Sequence, residues 1–426
     1  MFLLMAGLLG SCKPTSTANV LGYMAADYLG TLHTPAPSAP GGVLTGLVLD
    51  KGTPVTGATV LVAERTGTPH AAQTDAQGRY RIEQIPPGEY VPAAVAPAYD
   101  EIALEDSFGL PYLVTVRAGE ITKAPAFTLV RHQPAPLPTS LALATQLALT
   151  NTATLTAAFP VGSVAQVQSF QFIRAGAVID TLRLYLPLQL AANAKLPMAF
   201  FVYPSQVDAW QAVSTAYAAQ GYAVVAVSPI MARGLDIEAH AADAHVALEL
   251  ARSGALNTHI QGDKVVAVGG SFSSAILHRL LDDVSTDAGA DAHNEIIGWV
   301  TVGGISNAFS GAADFYAGKL QLPEPYKYLI PALGQPNLYP LEFLRFSPVY
   351  TAAQLPPTII IHTDVDHVIP IDQAYQLEAA LRANRVPVEV YYYKDVSHYL
   401  QIDEHMTDQA RAMFFRVADF AQRMLK

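Results

Sequence analysis

The sequence predicts an α/β chain: a doubly wound, mostly parallel sheet carrying a long insertion, preceded by a small all-β sandwich. Three observations lead there. Over residues 159–426, apolar runs of strand length alternate with amphipathic stretches of helix length. Over 42–130, short alternating strands are cut by Gly, Pro and Asp turns. The run Lys264-Val265-Val266-Ala267-Val268 then turns through Gly269-Gly270 onto Ser271 and enters a helical stretch. Such a turn brings one side chain to the carboxyl edge of a parallel sheet. A length of 426 residues gives room for two or three domains.

The elements follow in order. Met1 to Leu9 is apolar and too short to span a membrane, and it ends in Leu9-Gly10-Ser11-Cys12. These residues resemble the lipobox of bacterial lipoproteins. The resemblance implies a signal peptide over 1–11, lipidation of Cys12, and an extracytoplasmic protein tethered to a membrane of the cell envelope. Cys12 is the only cysteine, so no disulfide forms within one chain and the fold rests on its core. Residues 12–41 are rich in Pro, Thr, Ala, Ser and Gly and read as a tether.

Residues 42–130 form the sandwich. Gly46-Leu47-Val48-Leu49-Asp50 and Pro54 to Val62 are strand-like, while Thr74 to Tyr80 and Ile85 to Tyr90 contain turns. They resemble the carboxypeptidase regulatory-like (transthyretin-like) domain. The resemblance implies a seven-stranded sandwich serving as a spacer, a stabiliser or a modest adhesion module. No catalytic constellation is visible in it. Residues 131–158 are Pro-, Ala- and Thr-rich and read as a linker.

The second domain opens with strands at Val164–Ile173 and Val178–Leu186, then Met198–Val202. A helix from about Asp208 to Gln220, a strand at Tyr222–Val227 and a helix at Ile237–Arg252 lead to the glycine-serine turn. After a strand at Ile297–Val302 comes a segment at about 304–355, placed where a lid is common and rich in Phe and Tyr. Its rings either line a substrate pocket or pack the segment itself. The chain continues with a strand at Pro357–His362, a helix from Asp372, a strand at Val388–Tyr393 and a last helix from about Thr407.

Three side chains sit on turns or loops that directly follow strands: Ser271, Asp366 and His398. A serine hydroxyl becomes a nucleophile when a histidine takes its proton and an acid orients that histidine. The order serine, acid, histidine belongs to the nucleophile-elbow hydrolases. Asp364 and Asp395 are rivals for the acid; His367 and His405 are rivals for the base. Only His398 directly follows a strand and precedes the last helix. His240 and His245 lack the spacing of a two-histidine metal site. Ser273 stands where G-x-S-x-G has its second glycine.

With these residues in place, 159–426 resembles the alpha/beta-hydrolase superfamily. The likeness is to the branch of dienelactone-hydrolase-like and acetyl-xylan-esterase-like enzymes and the catalytic domain of prolyl oligopeptidases. Ser347-Pro348-Val349-Tyr350, Pro356-Pro357 and His362 through Pro370 carry it. The resemblance implies Ser271 as nucleophile, Asp366 rather than Asp364 as acid, and His398 as base. It also implies an oxyanion hole made by the N–H of Phe272 and a donor after the third strand, with Ser205 first and Tyr203 next. Related enzymes carry a glycine at that turn, whereas Tyr203-Pro204 stands here and proline has no N–H.

The expected activity is hydrolysis of carboxylic esters through an acyl-enzyme, with no metal or organic cofactor implied. A prolyl-oligopeptidase-type peptidase and a non-catalytic adhesion or binding lipoprotein are the alternatives. The expected partner is a small-molecule or polymer-linked ester. A formal net charge of −11 argues against nucleic acid.

Overall fold

The computed structural model describes residues 19–25, 40–133, 147–284, 295–324, 326–394, 396–398 and 407–425. The predicted signal segment, Cys12, Asp395 and His405 lie outside these residues. The chain divides into two compact units. One holds the described residues up to Gln133 together with Ser306–Gln354, and the other holds the rest.

The second unit is built on a nine-stranded sheet. Its elements are β1 (Ala148–Thr156), β2 (Val164–Arg174), β3 (Ala177–Pro187), β4 (Leu196–Val202), α1 (Gln211–Ala219), β5 (Ala223–Val227) and α2 (Ile237–Arg252). They continue with β6 (Ile260–Gly270), α3 (Phe272–Asp283), β7 (Ile296–Val302), β8 (Thr358–Thr363), α4 (Asp372–Ala383), β9 (Val388–Tyr393) and α5 (Asp408–Leu425). The strand order is β1-β2-β3-β5-β4-β6-β7-β8-β9. The pairings of β1 through β3 and of β3 with β5 are antiparallel. Every pairing from β5 to β9 is parallel. This is the alpha/beta-hydrolase arrangement. Because β4 lies between β5 and β6, the connection leaving β4 runs to β5 on one side and the connection leaving β6 runs to β7 on the other, so the two diverge at the carboxyl ends of β4 and β6. A topological switch point of this kind opens a crevice for a site.

The parallel strands form where the sequence is continuously apolar. Ala223-Val-Val-Ala-Val227 is buried throughout, as a strand covered on both faces must be. One face is covered by α1 and α5. The buried residues of α5 include Ala410, Met413, Phe414, Val417 and Phe420, a 3–4 spacing that makes a single apolar stripe. Tyr217 of α1 stacks on Phe414 with centroids 4.5 Å apart and donates its hydroxyl hydrogen to the Phe414 carbonyl at 2.7 Å. On α2, the Asp236 side chain accepts from the Ala239 N–H and caps the helix. Further along, Asp243 is held between Arg174 and Arg233.

The stretch read as a linker over 131–158 contains β1, which corrects that boundary. β1 pairs with β2 along its whole length, yet most of its residues are exposed. An edge strand with two solvated faces needs β-branched residues but no apolar alternation, and Thr150, Thr152 and Thr154 supply them. Its sequence therefore looks like linker.

In the first unit, the strand Gly42–Asp50 alternates buried and partly buried residues. It pairs in parallel with Ile121–Lys123 and Phe127–Thr128, and antiparallel with Arg79–Ile85. A second sheet runs in the order Pro69–Gln73, Thr59–Ala63, Ala93–Val95, Ile102–Ala103. Leu44, Val48, Val60, Val62, Tyr80 and Phe127 fill the space within this β-rich region. Where the resemblance implied seven strands, the described residues show eleven shorter segments.

Ser306–Gln354 belongs to this same unit. The Val91 N–H donates to the Asn337 carbonyl at 2.8 Å, and Asn337 Nδ2 donates to the Glu89 carbonyl at 3.0 Å. At Gly67, with φ of 112°, a Cβ would sit 2.5 Å from the Phe309 carbonyl oxygen, so the backbones touch there. Phe309, Phe343 and Phe346 are buried, and the first two lie 5.5 Å apart. These three rings pack the segment itself.

Candidate active site

β6 ends in Gly269-Gly270, and α3 begins at Phe272. Between them Ser271 has φ 52° and ψ −130°, a strained conformation for a residue with a Cβ. The turn is tight at both glycines, and at Gly270 the obstacle is backbone. A Cβ on Gly269 would meet Leu277 Cδ1 at 2.7 Å, and one on Gly270 would meet the Val302 carbonyl at 2.6 Å. The Ser271 N–H donates to that same carbonyl at 3.0 Å. The departure at Ser273 has a structural use. Its buried hydroxyl donates to the Gly270 carbonyl at 2.7 Å and accepts from the Gly270 N–H at 3.0 Å, clasping the turn from behind.

The three residues singled out from the sequence meet. His398 Nε2 lies 3.0 Å from Ser271 Oγ, and His398 Nδ1 lies 2.8 Å from Asp366 Oδ2. Asp366 is 7% exposed, whereas Asp364 and His367 of the same loop are exposed, which separates Asp366 from its neighbours. Its other oxygen, Oδ1, accepts from the N–H groups of Val368 and Ile369, both at 2.8 Å. Burial raises the Asp366 pKa, but the hydrogen bond from His398 and the two N–H donors outweigh it. The carboxyl is held below its ordinary value. An ionised carboxylate can only accept, so Nδ1 of His398 carries the hydrogen and Nε2 is left to accept from the serine hydroxyl. This is the tautomer a general base needs.

Sequence reasoning missed Gly303, two residues beyond Thr301 on β7. It has φ 55°, and a Cβ there would lie 3.3 Å from Asp366 Oδ2 and 3.4 Å from His398 Nδ1. The signal was the Gly303-Gly304 pair after an apolar strand, which marks a close backbone approach. Gly303→Ala adds strain of about 1–2 kcal/mol and crowds the acid–histidine contact. We expect a fall of at least tenfold in kcat for any reaction at Ser271, with a native far-ultraviolet circular dichroism spectrum. An unchanged kcat contradicts this account of Gly303.

The proposed oxyanion donors differ in standing. Phe272 is the first residue of α3, and first-turn N–H groups point out of a helix toward whatever stands at its end. The Tyr203 N–H is spent on the Val227 carbonyl at 2.9 Å, which removes it as the second donor. Ser205 is exposed, and its N–H has no acceptor among the described residues.

His362 was read only as part of a strand. It is buried, donates from Nε2 to the Ile369 carbonyl at 2.8 Å, and lies 3.6 Å from Asp366 Oδ2, closing the acid loop. Burial pushes its imidazole below the ordinary histidine value, and His240 is lowered in the same way. The unfolded chain takes up these protons from about pH 6.5 downward while the native state resists. Stability should therefore fall as pH drops below about 6.5. His362→Gln keeps a donor for Ile369 and removes one titration, so its melting temperature should decline less between pH 7 and pH 5. Identical slopes would contradict the assignment. Asp366 acts lower on the scale: its stabilisation is present above about pH 3.9 and is lost as pH falls through its depressed native value. Among the described residues no group of three or more His, Cys, Asp or Glu could hold a metal ion.

Comparison with known proteins gives two family matches. Residues 43–136 match the carboxypeptidase regulatory-like domain, and residues 316–426 match the prolyl oligopeptidase family. The second stretch includes Asp366 and His398 but begins after Ser271. No curated protein matches at a significant level. Among solved structures, an esterase from Thermogutta terrifontis is 15% identical with a TM-score of 0.41, covering 56% of this chain and 86% of that one. Esterase B from Lactobacillus rhamnosis is 16% identical with a TM-score of 0.42, covering 57% and 80%. The acylaminoacyl peptidase of Pyrococcus horikoshii is 14% identical with a TM-score of 0.44, covering 87% of this chain. This chain spans only 54% of that peptidase.

Proposed function

We propose that this chain is a serine hydrolase of carboxylic esters, with Ser271 as nucleophile, His398 as general base and Asp366 as the orienting acid. The observation that carries the reading is the unbroken relay from Ser271 Oγ to His398 at 3.0 Å and on to Asp366 at 2.8 Å. As Ser271 Oγ attacks the ester carbonyl, its proton passes to His398 Nε2. The carbonyl oxygen becomes an oxyanion that accepts from the Phe272 N–H and, in this proposal, from the Ser205 N–H. Collapse of the tetrahedral species breaks the bond to the alcohol, which leaves with the proton from His398. Water, deprotonated by His398, then attacks the acyl-serine and frees the acid and Ser271.

The match of 316–426 to the prolyl oligopeptidase family favours a second reading, a serine peptidase with the same relay. Turnover of p-nitrophenyl acetate and butyrate, set beside p-nitroanilides of short blocked peptides, separates the two. The ester reading predicts kcat/KM for the esters at least a hundredfold above the anilides of equal size. The reverse order would replace it with the peptidase. The lipid anchor on Cys12 and the extracytoplasmic location belong to the same proposal. Acyl mass on the N-terminal peptide from a membrane fraction supports them, and its absence removes them. No described helix is long and apolar enough to cross a membrane.

A further inference from the structure

We infer that a cavity beside Ser271, between α1, α5 and the sheet, binds a long apolar arm of the substrate. This deepens the hydrolase reading and rests on it. The cavity measures about 300 Å³. That is the lower end of the range for ligand sites and far above the voids of a packed interior. Trp210 and Val213 wall one side, Phe201 and Val268 the sheet side, and Met413 and Phe414 the side of α5.

The cavity borders the cleft of the acid and the histidine. Val302 and Met413 line it and also line the small cleft that holds Asp366 and His398. Val302 is the residue whose carbonyl accepts from the Ser271 N–H. The Trp210 ring comes within 3.2 Å of the point where a Cβ on Gly270 would stand, one residue before the nucleophile. Trp210 also follows the turn that carries Ser205. An ester carbonyl seated at Ser271 therefore has an apolar chamber next to it.

Chemistry sets the class of guest. Asp208 is the only charged residue among the lining residues, and it is exposed. A carboxylate there, on a chain of net charge −11, repels an anionic arm. The rest of the lining offers rings, methyls and a thioether, which reward an uncharged hydrocarbon. A dry cavity of about 150 Å³ accommodates benzene, so twice that volume takes an aryl-alkyl group or a chain of about eight carbons. Either side of the ester, the acid or the alcohol, can supply the arm, and the test tells them apart.

In the first arm of the test, p-nitrophenyl esters from acetate to decanoate vary the acid. In the second, acetate esters of 1-butanol to 1-decanol vary the alcohol. One series should rise roughly two- to fourfold in kcat/KM per methylene up to about eight carbons. Val213→Trp should cut the octyl-to-short-chain ratio in that series at least tenfold, and Val417→Phe serves the same purpose if the first variant does not fold. Independently of turnover, 1-octanol titrated into Ser271→Ala should shift Trp210 fluorescence saturably, and Trp210→Phe should lose the shift. Flat profiles in both series, a chain-length preference that neither filled variant alters, or no saturable shift would each overturn the inference while leaving the relay at Ser271 intact. No ester turnover with a saturable octanol shift would instead sink the hydrolase reading and keep the cavity as a binding site.

Discussion

Ser271→Ala should lower ester turnover by about a millionfold, leaving the fold in place. The size follows from what the hydroxyl does. In the proposed reaction it is the atom that forms the acyl bond, and neither the donors at α3 nor the His398–Asp366 pair can replace it. In a related relay the residual rate comes from oxyanion donors and binding alone. The substitution removes only the hydroxyl that faces His398, and alanine at φ 52° carries the same backbone strain as serine. The melting temperature should therefore stay close to that of the parent. Steady-state rates with p-nitrophenyl acetate, measured with a melting curve on the same preparation, check both halves. A loss of less than a hundredfold would mean that another group does the chemistry.

Asp366→Asn should lower kcat by about 10⁴ with little change in KM, and here the geometry fixes the cause. Oδ1 accepts from two backbone N–H groups, Val368 and Ile369, so the amide oxygen of asparagine must take that position. The NH₂ group then faces His398 Nδ1, where the carboxylate oxygen stood. A donor there forces Nδ1 to accept and leaves the hydrogen on Nε2. The imidazole can no longer receive the proton of Ser271. Retention of more than a tenth of the parent rate would show that Asp366 does not set the tautomer.

The relay was legible because each member stands at the end of an apolar strand, and parallel strands bring their carboxyl ends to one edge. Ser271 announced itself through Gly269 and Gly270, at the second of which a Cβ would run into the Val302 carbonyl. Asp364 and Asp366 could not be told apart by composition; burial separates them, and burial depends on how the loop folds back onto His362. Gly303 was hidden because its task is to leave room for side chains 63 and 95 residues away in sequence. The role of Ser273 was hidden for a similar reason: glycine was expected for its size, whereas serine fits and adds two hydrogen bonds.

Segment grouping was less visible. The aromatic stretch after β7 reads as an insertion in the sheet unit. Phe309, Phe343 and Phe346 pack within it, and its backbone joins the first unit through Asn337 and the approach at Gly67. Hydrogen bonds between backbones more than 200 residues apart leave no local pattern. β1 escaped for the opposite reason: an exposed edge strand needs only β-branched residues and a partner.

The measurement that tests the central claim most directly is covalent labelling with a fluorophosphonate, followed by mass mapping of the modified peptide. The account predicts one equivalent of label per chain on Ser271, with labelling lost in His398→Ala because the hydroxyl then lacks its base. Label on another residue, or none on a folded protein, would contradict the claim that Ser271, His398 and Asp366 form a working nucleophile.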